Sequence, residues 1–363
     1  MPDATPRKYR VAVWGPGSVG VAAIRDCLLI DNADLVGVLA YSPDKQGRDI
    51  GELVGFPATG TKVSATVEEL LATRPECVLF AARDYGDLRA DDDIATLLEA
   101  GVNVVSALPY QNLATVSPER FARLDAAGKK GGATLFGSGV NPGYMMERLA
   151  LTLSGLSNGI TGIRLREYIN CTHMPGAATF LQLMGFGMQT VDAAQTEQVA
   201  ALIQSYLQPT LQFAAEKMGV PIDRIERTDR HEVAPETMHL PEFTIEKGGV
   251  ALVSHKWTAY RGNTPFLSTH STWFVTDAMR PPELKGLDDC WIIEVDGRPS
   301  SRTIIELHGS PDRDGSNNPE NPSNTSYLAT MVPMVQSIPY VVDATPGVLT
   351  LDAPPMHWRA DFA

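Results

Sequence analysis

Three glycines in the spacing G-x-G-x-x-G, Gly15-Pro16-Gly17-Ser18-Val19-Gly20, stand between an apolar run (residues 10–14) and an amphipathic run that reaches residue 30. Each glycine has a physical task in a dinucleotide site. The first lets the chain turn sharply out of a strand, the second keeps a side chain away from the pyrophosphate, and the third lets helix and strand pack closely. The start of the helix adds free amides and a partial positive charge. A second apolar run, residues 35–40, ends at Tyr41 and Ser42, with Lys45 and Arg48 just beyond. NAD sites usually place an acid at the end of this strand for the ribose 2'-hydroxyl, whereas a 2'-phosphate needs a small hydroxyl and a cation. No acid occurs at Ala40, Tyr41 or Ser42, so the pattern favours NADP over NAD. Lys45 and Arg48 are then either phosphate ligands or solvated loop charges.

The remaining candidates are scattered polar residues. No C-x-x-C, H-E-x-x-H or G-x-S-x-G spacing occurs, so no metal is expected and no nucleophile elbow. Ala81-Ala82-Arg83, Ser106-Ala107-Leu108 with Tyr110 beyond it, and residues 137–144 each follow an apolar run. If those runs are parallel strands, the three segments and the glycine turn line one crevice at the strands' carboxyl ends. Within residues 137–144, Asn141 and Gly143 flank Pro142. Asn141 suits a nicotinamide carboxamide or a substrate oxygen, and a plain tight turn explains it equally well. Tyr168, Asn170 and His173 surround a loop that can hang over the crevice, and with Tyr110 they are the candidates for substrate binding or proton transfer. Glu147 reads as a helix-surface carboxylate, and His255 and His270 as sheet residues.

These residues need two kinds of scaffold. Up to about residue 153, short apolar runs alternate with helical stretches, the pattern of a parallel α/β sheet. From about residue 160 the period drops to two: Ile163, Leu165 and Ile169 alternate with Arg164, Arg166, Tyr168 and Asn170. Further strands are predicted over residues 250–260, 268–276, 291–295 and 302–307. A helical region over residues 199–218 should be kinked or split at Pro209. The expected architecture is a Rossmann domain (1–153), an inserted α+β domain on a mostly antiparallel sheet (154–325), and a C-terminal helix and tail (326–363) that return to the first domain. A polar loop, residues 309–326, precedes that return.

The composition places limits on partners. With 43 acidic and 30 basic residues, the net charge of -13 disfavours nucleic acid or an anionic membrane as a partner. A small-molecule substrate and a second copy of the chain remain the expected partners. Four scattered cysteines read as buried free thiols of a reducing cytoplasm, and no apolar run approaches a membrane span.

The glycine turn, residues 41–43 and 47–49, Gly139-Val140-Asn141-Pro142-Gly143 and Val335-Gln336-Ser337-Ile338-Pro339 together resemble the dihydrodipicolinate reductase-like superfamily. Within it the chain is most similar to the 2,4-diaminopentanoate dehydrogenases and native amine dehydrogenases. The resemblance implies an NAD(P)-dependent oxidoreductase, dimeric through the inserted domain, that moves a hydride to or from a small carbonyl, imine or amine. It also implies a catalytic Glu in the segment after the strand that ends near Ser106. This chain has Ser106-Ala107-Leu108-Pro109-Tyr110-Gln111 there, without a carboxylate. Reductive amination of ketones or aldehydes is therefore one reading, and a non-catalytic NADP-binding or sensing protein is another. The paired-His and Lys pattern of dihydrodipicolinate reductase itself is not reproduced around His173.

Overall fold

Short strands of Val, Leu, Ile and Phe buried on both faces must be covered by helices, and the first part of the chain does this in a parallel sheet. The computed structural model describes residues 7–83, 88–174, 176, 178–189, 193–284, 286–287, 289–309 and 321–351. Two compact units emerge, one from Met1–Val140 with His308–Leu351 and the other from Asn141–Leu307.

The first unit holds β1 (Tyr9–Trp14), β2 (Ala33–Leu39), β3 (Cys77–Phe80), β4 (Asn103–Ser106) and β5 (Thr134–Gly137). A C-terminal strand, Gly347–Leu349, completes a six-stranded sheet in the order Gly347–Leu349, β5, β4, β3, β1, β2. Every pairing is parallel. β2 and β3 flank β1 on opposite sides, so strand order reverses there and a crevice opens beyond the carboxyl ends. The covering helices are α1 (Ser18–Leu29), α2 (Arg89–Glu99) and α3 (Pro118–Gly131), with helix Thr325–Gln336 packed against α1. Pro118 begins α3, and Gly132, at φ +73°, ends it in the left-handed conformation.

The second unit is organised on β6 (Asn158–Asn170), β7 (Arg224–Val233), β8 (Met238–His239), β9 (Thr244–Ile245), β10 (Val250–Arg261), β11 (Thr264–Phe274), β12 (Cys290–Arg298) and β13 (Ser301–Glu306). Its main sheet runs β13, β12, β6, β11, β10, β7, antiparallel except where β11 meets β6; β8 and β9 form a separate pair. The fold class is the one read from the sequence. β7 was not anticipated, because its ten residues carry eight polar or charged side chains. Pro209 does not split the helical region: Ala193–Met218 is one 26-residue helix. A proline removes a single backbone hydrogen bond, and the burial of Leu207, Leu211, Phe213 and Ala214 outweighs that loss. The helix rests on β10 and β11. Much of the polar loop (residues 310–320) and the tail from residue 352 lie outside the described residues.

All four cysteines are buried and free, and burial pushes the Cys77 thiol up to about 12. Among the described residues no helix is long and apolar enough to cross a membrane.

The glycine turn is held by backbone contact. A Cβ at Gly20 would lie 2.2 Å from the Gly15 carbonyl oxygen, and one at Gly15 would lie 2.7 Å from the Ala82 nitrogen, with Gly15 at φ +89°. Neither neighbour is a flexible side chain. Gly20→Ala and Gly15→Ala are each expected to lower unfolding free energy by roughly 1–3 kcal/mol, measured by urea titration.

Candidate active site

At the switch point, three hydrogen bonds continue the sheet past the ends of its strands. The Ala81 amide donates to the Trp14 carbonyl at 2.9 Å, Ala107 to Phe80 at 3.0 Å, and Ser138 to Ser106 at 2.9 Å. Gly15, Ala81, Ala82, Arg83, Ser106, Ala107 and Leu108 are thereby gathered along one edge of the first unit. The Ser106 hydroxyl, fully buried, accepts from the Leu108 amide at 3.1 Å and fixes that bend.

Gly17 differs from its two neighbours in the motif. Its φ of -79° is open to any residue, and a Cβ there would meet no heavy atom within 4 Å. Helix α1 starts immediately after it with no side-chain cap. Backbone amides and lateral room therefore coincide, which fits a pyrophosphate. Pro16, Ser18 and Val19 complete the turn, and the Lys45 ammonium donates to the Pro16 carbonyl at 2.8 Å. Lys45 thus fastens the loop, a role that neither sequence-based alternative had given it.

The second strand ends at a mixed group. Tyr41, half exposed, meets Trp14 edge-on at 6.0 Å and donates its hydroxyl to Asp93 at 2.7 Å. The Ser42 hydroxyl donates to Asp44. That contact holds the Asp44 carboxyl below the usual range, with Lys45 and Arg48 adding to the effect. An acid is therefore present here, two residues beyond the position where the sequence pattern looks for one.

Tyr110 does not point into open space. It is 1% exposed, and its hydroxyl donates to Asp91 at 2.7 Å. Arg120 grips both oxygens of the same carboxylate at 2.7 and 2.8 Å. Burial pushes the Asp91 carboxyl up, but the bonds from Arg120 and Tyr110 outweigh it and hold the group below its ordinary range. This cluster ties α2 to α3 and to the segment after β4, a structural task that occupies the Tyr110 hydroxyl.

In the second unit, Tyr168 is also buried; its hydroxyl donates to Glu283 at 3.1 Å. Burial first, and Glu283 second, push it up to about 12, so it keeps its proton near neutrality. Asn170 accepts from the Thr172 amide and hydroxyl, at 3.1 and 2.6 Å, and turns the chain towards His173. His173 is exposed and lines a pocket of about 190 Å³ with Cys171, Met174, Leu181, Leu240 and Phe243. The Glu242 carboxylate at its rim accepts from the Gly176 and Ala178 amides at 2.5 and 3.0 Å.

Two carboxylates escaped the sequence reading. Glu147, expected at a helix surface, is 1% exposed, because the long helix Ala193–Met218 packs over the π-helical turn Met145–Ala150 that carries it. It accepts from the Thr210 hydroxyl at 2.7 Å, and burial raises its pKa. Glu167 sits on the apolar face of β6 and accepts the Asn141 side-chain amide at 2.8 Å. A signal for Glu167 was present: residues 163, 165, 167 and 169 share one face of an alternating strand. Gly143, at φ +122°, follows Asn141 and Pro142 and leads into the turn bearing Glu147. His255, as expected, lies in the sheet; it is paired with Asp229 at 2.7 Å. His270 also lies in the sheet, where burial, Lys256 and Arg166 lower it to about 4. Among the described residues no group of three or more His, Cys, Asp or Glu side chains could hold a metal ion.

No protein-family model matches the chain. It is 30% identical over 356 residues to an amine dehydrogenase from Streptomyces virginiae, spanning 94% of this chain and 95% of that protein. It is 20% identical over 363 residues to a 2,4-diaminopentanoate dehydrogenase from Acetoanaerobium sticklandii, spanning 98% and 96%. Among solved structures, an amine dehydrogenase from Mycobacterium smegmatis shares the fold with a TM-score of 0.74 at 24% identity, with 98% of each chain covered.

Two variants separate binding from scaffold in the first unit. Gly17→Val places a branched side chain where the fold has room, so Tm should stay within about 2 °C while dinucleotide affinity, read by fluorescence titration, falls at least about tenfold. Asp91→Asn tests the buried cluster. A depressed carboxylate pKa contributes stability that is present above the unfolded value, near 4, and is lost as pH falls through the folded one. The variant should lose about 2 kcal/mol at pH 7 and show a flatter acid limb below about pH 4 in urea titrations across pH.

Proposed function

Because the chain belongs to the family of amine dehydrogenases and 2,4-diaminopentanoate dehydrogenases, within the dihydrodipicolinate reductase-like superfamily of oxidoreductases, we propose that it binds NADP and interconverts a small amine with its carbonyl or imine partner. The open, uncapped turn at Gly17 is the observation that carries the cofactor half of this reading. A bound nicotinamide would supply or accept the hydride. The protein's own residues do the rest. Gly15, Gly17 and Gly20 with the first amides of α1 hold the pyrophosphate, Lys45 fastens the loop, and Ala81 to Arg83 and Ser106 to Leu108 border the dinucleotide. Ser42 and Arg48 take a 2'-phosphate.

The pocket beside His173 suits a short aliphatic group, since Met174, Leu181, Leu240 and Phe243 supply much of its wall. His173 and Glu242 are exposed titratable side chains there; Glu242 is engaged by the Gly176 and Ala178 amides, and His173 is assigned the proton transfer. Tyr168, which keeps its proton and is engaged by Glu283, contributes shape. A homodimer belongs to the same reading, and sedimentation velocity measures it directly. Since the relatives are dehydrogenases, a non-catalytic role is not adopted.

A second reading of the cofactor rests on Asp44. Its carboxylate, joined to Ser42 just beyond β2, would accept ribose hydroxyls, which favours NAD. Arg48→Ala separates the two. Under the NADP reading the variant weakens NADPH binding by about tenfold and leaves NADH unchanged. If wild type binds NADH the tighter of the two and Arg48→Ala alters neither, Asp44 is the selector. For the reaction itself, cofactor reduction is followed with a panel of short primary amines, and oxidation with the matching ketones plus ammonia. Failure of every pair in protein shown to bind the dinucleotide would overturn the proposed chemistry.

A further inference from the structure

We infer that Glu167 is a positioning residue: it fixes Asn141 as a hydrogen-bond acceptor for an N–H donor, supplied by an amine substrate or by the carboxamide of the cofactor. This inference rests on the reading of the chain as a nicotinamide-dependent amine oxidoreductase and identifies the group that would recognise nitrogen.

Glu167 occupies an unusual place. It lies on the face of β6 shared with Ile163, Leu165 and Ile169, and it is 7% exposed. Strand register sets Ser271 of β11 on one side of it and Trp291 of β12 on the other. Four donors converge on its two oxygens. Oε1 accepts from the Ser271 hydroxyl at 3.0 Å and the Trp273 indole at 3.2 Å; Oε2 accepts from the Trp291 indole at 3.0 Å and the Asn141 Nδ2 at 2.8 Å. An indole N–H only donates, so each of the two oxygens must accept at least one hydrogen bond, Oε1 from Trp273 and Oε2 from Trp291. The side chain is therefore fixed by its neighbours, three of which stand on sheet strands.

The fourth donor is the one that faces a ligand. Oε2 accepts from the Asn141 Nδ2, so Asn141 turns its NH2 towards Glu167 and its carbonyl away. That carbonyl oxygen, Oδ1, is buried and has no hydrogen-bond partner among the described residues. Buried polar atoms without partners are rare in folded proteins and point to an occupant that supplies the missing donor. An acceptor whose orientation is enforced from behind will take an ammonium, an amine, an iminium N–H or a primary carboxamide. It will reject a ketone oxygen. Glu167 thus sets polarity at a point it does not itself touch.

Glu167→Gln keeps the volume and inverts the polarity. The introduced carboxamide can retain Ser271 and Trp273 through its oxygen, but its NH2 then faces the Trp291 indole, which loses its acceptor, and Asn141, whose amide must flip and present NH2 outwards. The experiment compares wild type, E167Q and the double variant E167Q/N141D. In the double variant, the carboxylate introduced at position 141 accepts from the carboxamide introduced at position 167 and again presents an oxygen to the ligand. Dissociation constants are measured by fluorescence for NADP and for its 3-acetylpyridine analogue, which has a carbonyl but no carboxamide N–H. Isothermal titration with sec-butylamine, in the absence of cofactor, reads the amine directly.

If the carboxamide is the donor, E167Q weakens NADP by about tenfold, leaves the acetylpyridine analogue unchanged, and the double variant restores affinity. If an amine is the donor, E167Q weakens sec-butylamine about tenfold with NADP unchanged, and the double variant again restores it. A folded E167Q that binds NADP and amine as wild type does, or a double variant that shows no rescue, overturns the assignment. Should E167Q fail to fold, Asn141→Ala, which leaves Glu167 its three other donors, must reproduce the loss of affinity in one arm, and unchanged binding in both overturns the proposal. Wild-type protein that binds amine but no dinucleotide would remove the cofactor reading while leaving the amine arm decisive for Glu167; wild type that binds neither ligand overturns both.

Discussion

The approach of one backbone to another beneath the glycine turn governs the first unit. Gly20 is pressed on the carbonyl of Gly15, and Gly15 on the backbone of Ala82, so the start of α1, the end of β1 and the end of β3 are locked at contact distance. No side chain larger than hydrogen can enter two of these places. The third, Gly17, is left open. One short motif therefore combines two steric requirements of the fold with one vacancy for chemistry, and the edge where Ala81, Ser106 and their neighbours gather follows from it. Lys45 reinforces the arrangement by holding the Pro16 carbonyl from the next loop.

In the second unit the dominant constraint is a charge where the strand pattern calls for a hydrocarbon. A carboxylate on the apolar face of β6 is costly unless its lone pairs are filled. Ser271, Trp273, Trp291 and Asn141 fill them, and side chains from separate elements are thereby committed to one point. The same face carries a second polar pair in register, His255 opposite Asp229. Burial lowers the His255 pKa, and Asp229 opposes that effect, so this imidazole is kept neutral by its surroundings. A row of polar side chains, Asp229, His255, Ser271 and Glu167, thus crosses a sheet that is otherwise packed with Ile, Leu, Val and Trp.

Much of the fold was legible because it is local. Glycine spacing, strand-helix alternation and a change of period at about residue 160 each declare themselves within short windows. β7 hid because an edge strand tolerates, and benefits from, charged side chains, which erase the apolar alternation that marks a strand. The site was less legible because its logic is long-range. The partners of Glu167 on β11 and β12 lie 104, 106 and 124 residues away in the chain. Tyr110 looked like a free hydroxyl because no window shows that Asp91 and Arg120 will converge on it from two helices. Asp44 was passed over because it lies five residues beyond the end of β2 and joins Ser42 across the loop.

The closing strand has a consequence for biosynthesis. Gly347–Leu349 completes the parallel sheet beside β5, although the whole of Asn141–Leu307 intervenes between them. A ribosome therefore makes Asn141–Leu307 first and leaves β5 as an open edge until Gly347–Leu349 emerges. At about 5–20 residues per second, the wait of roughly two hundred residues lasts on the order of 10–40 s. During that interval the nascent first half displays unpaired backbone and incomplete apolar cover, the state that chaperones recognise. Closure of the parallel sheet in this architecture thus waits on a segment made long after the strand it covers.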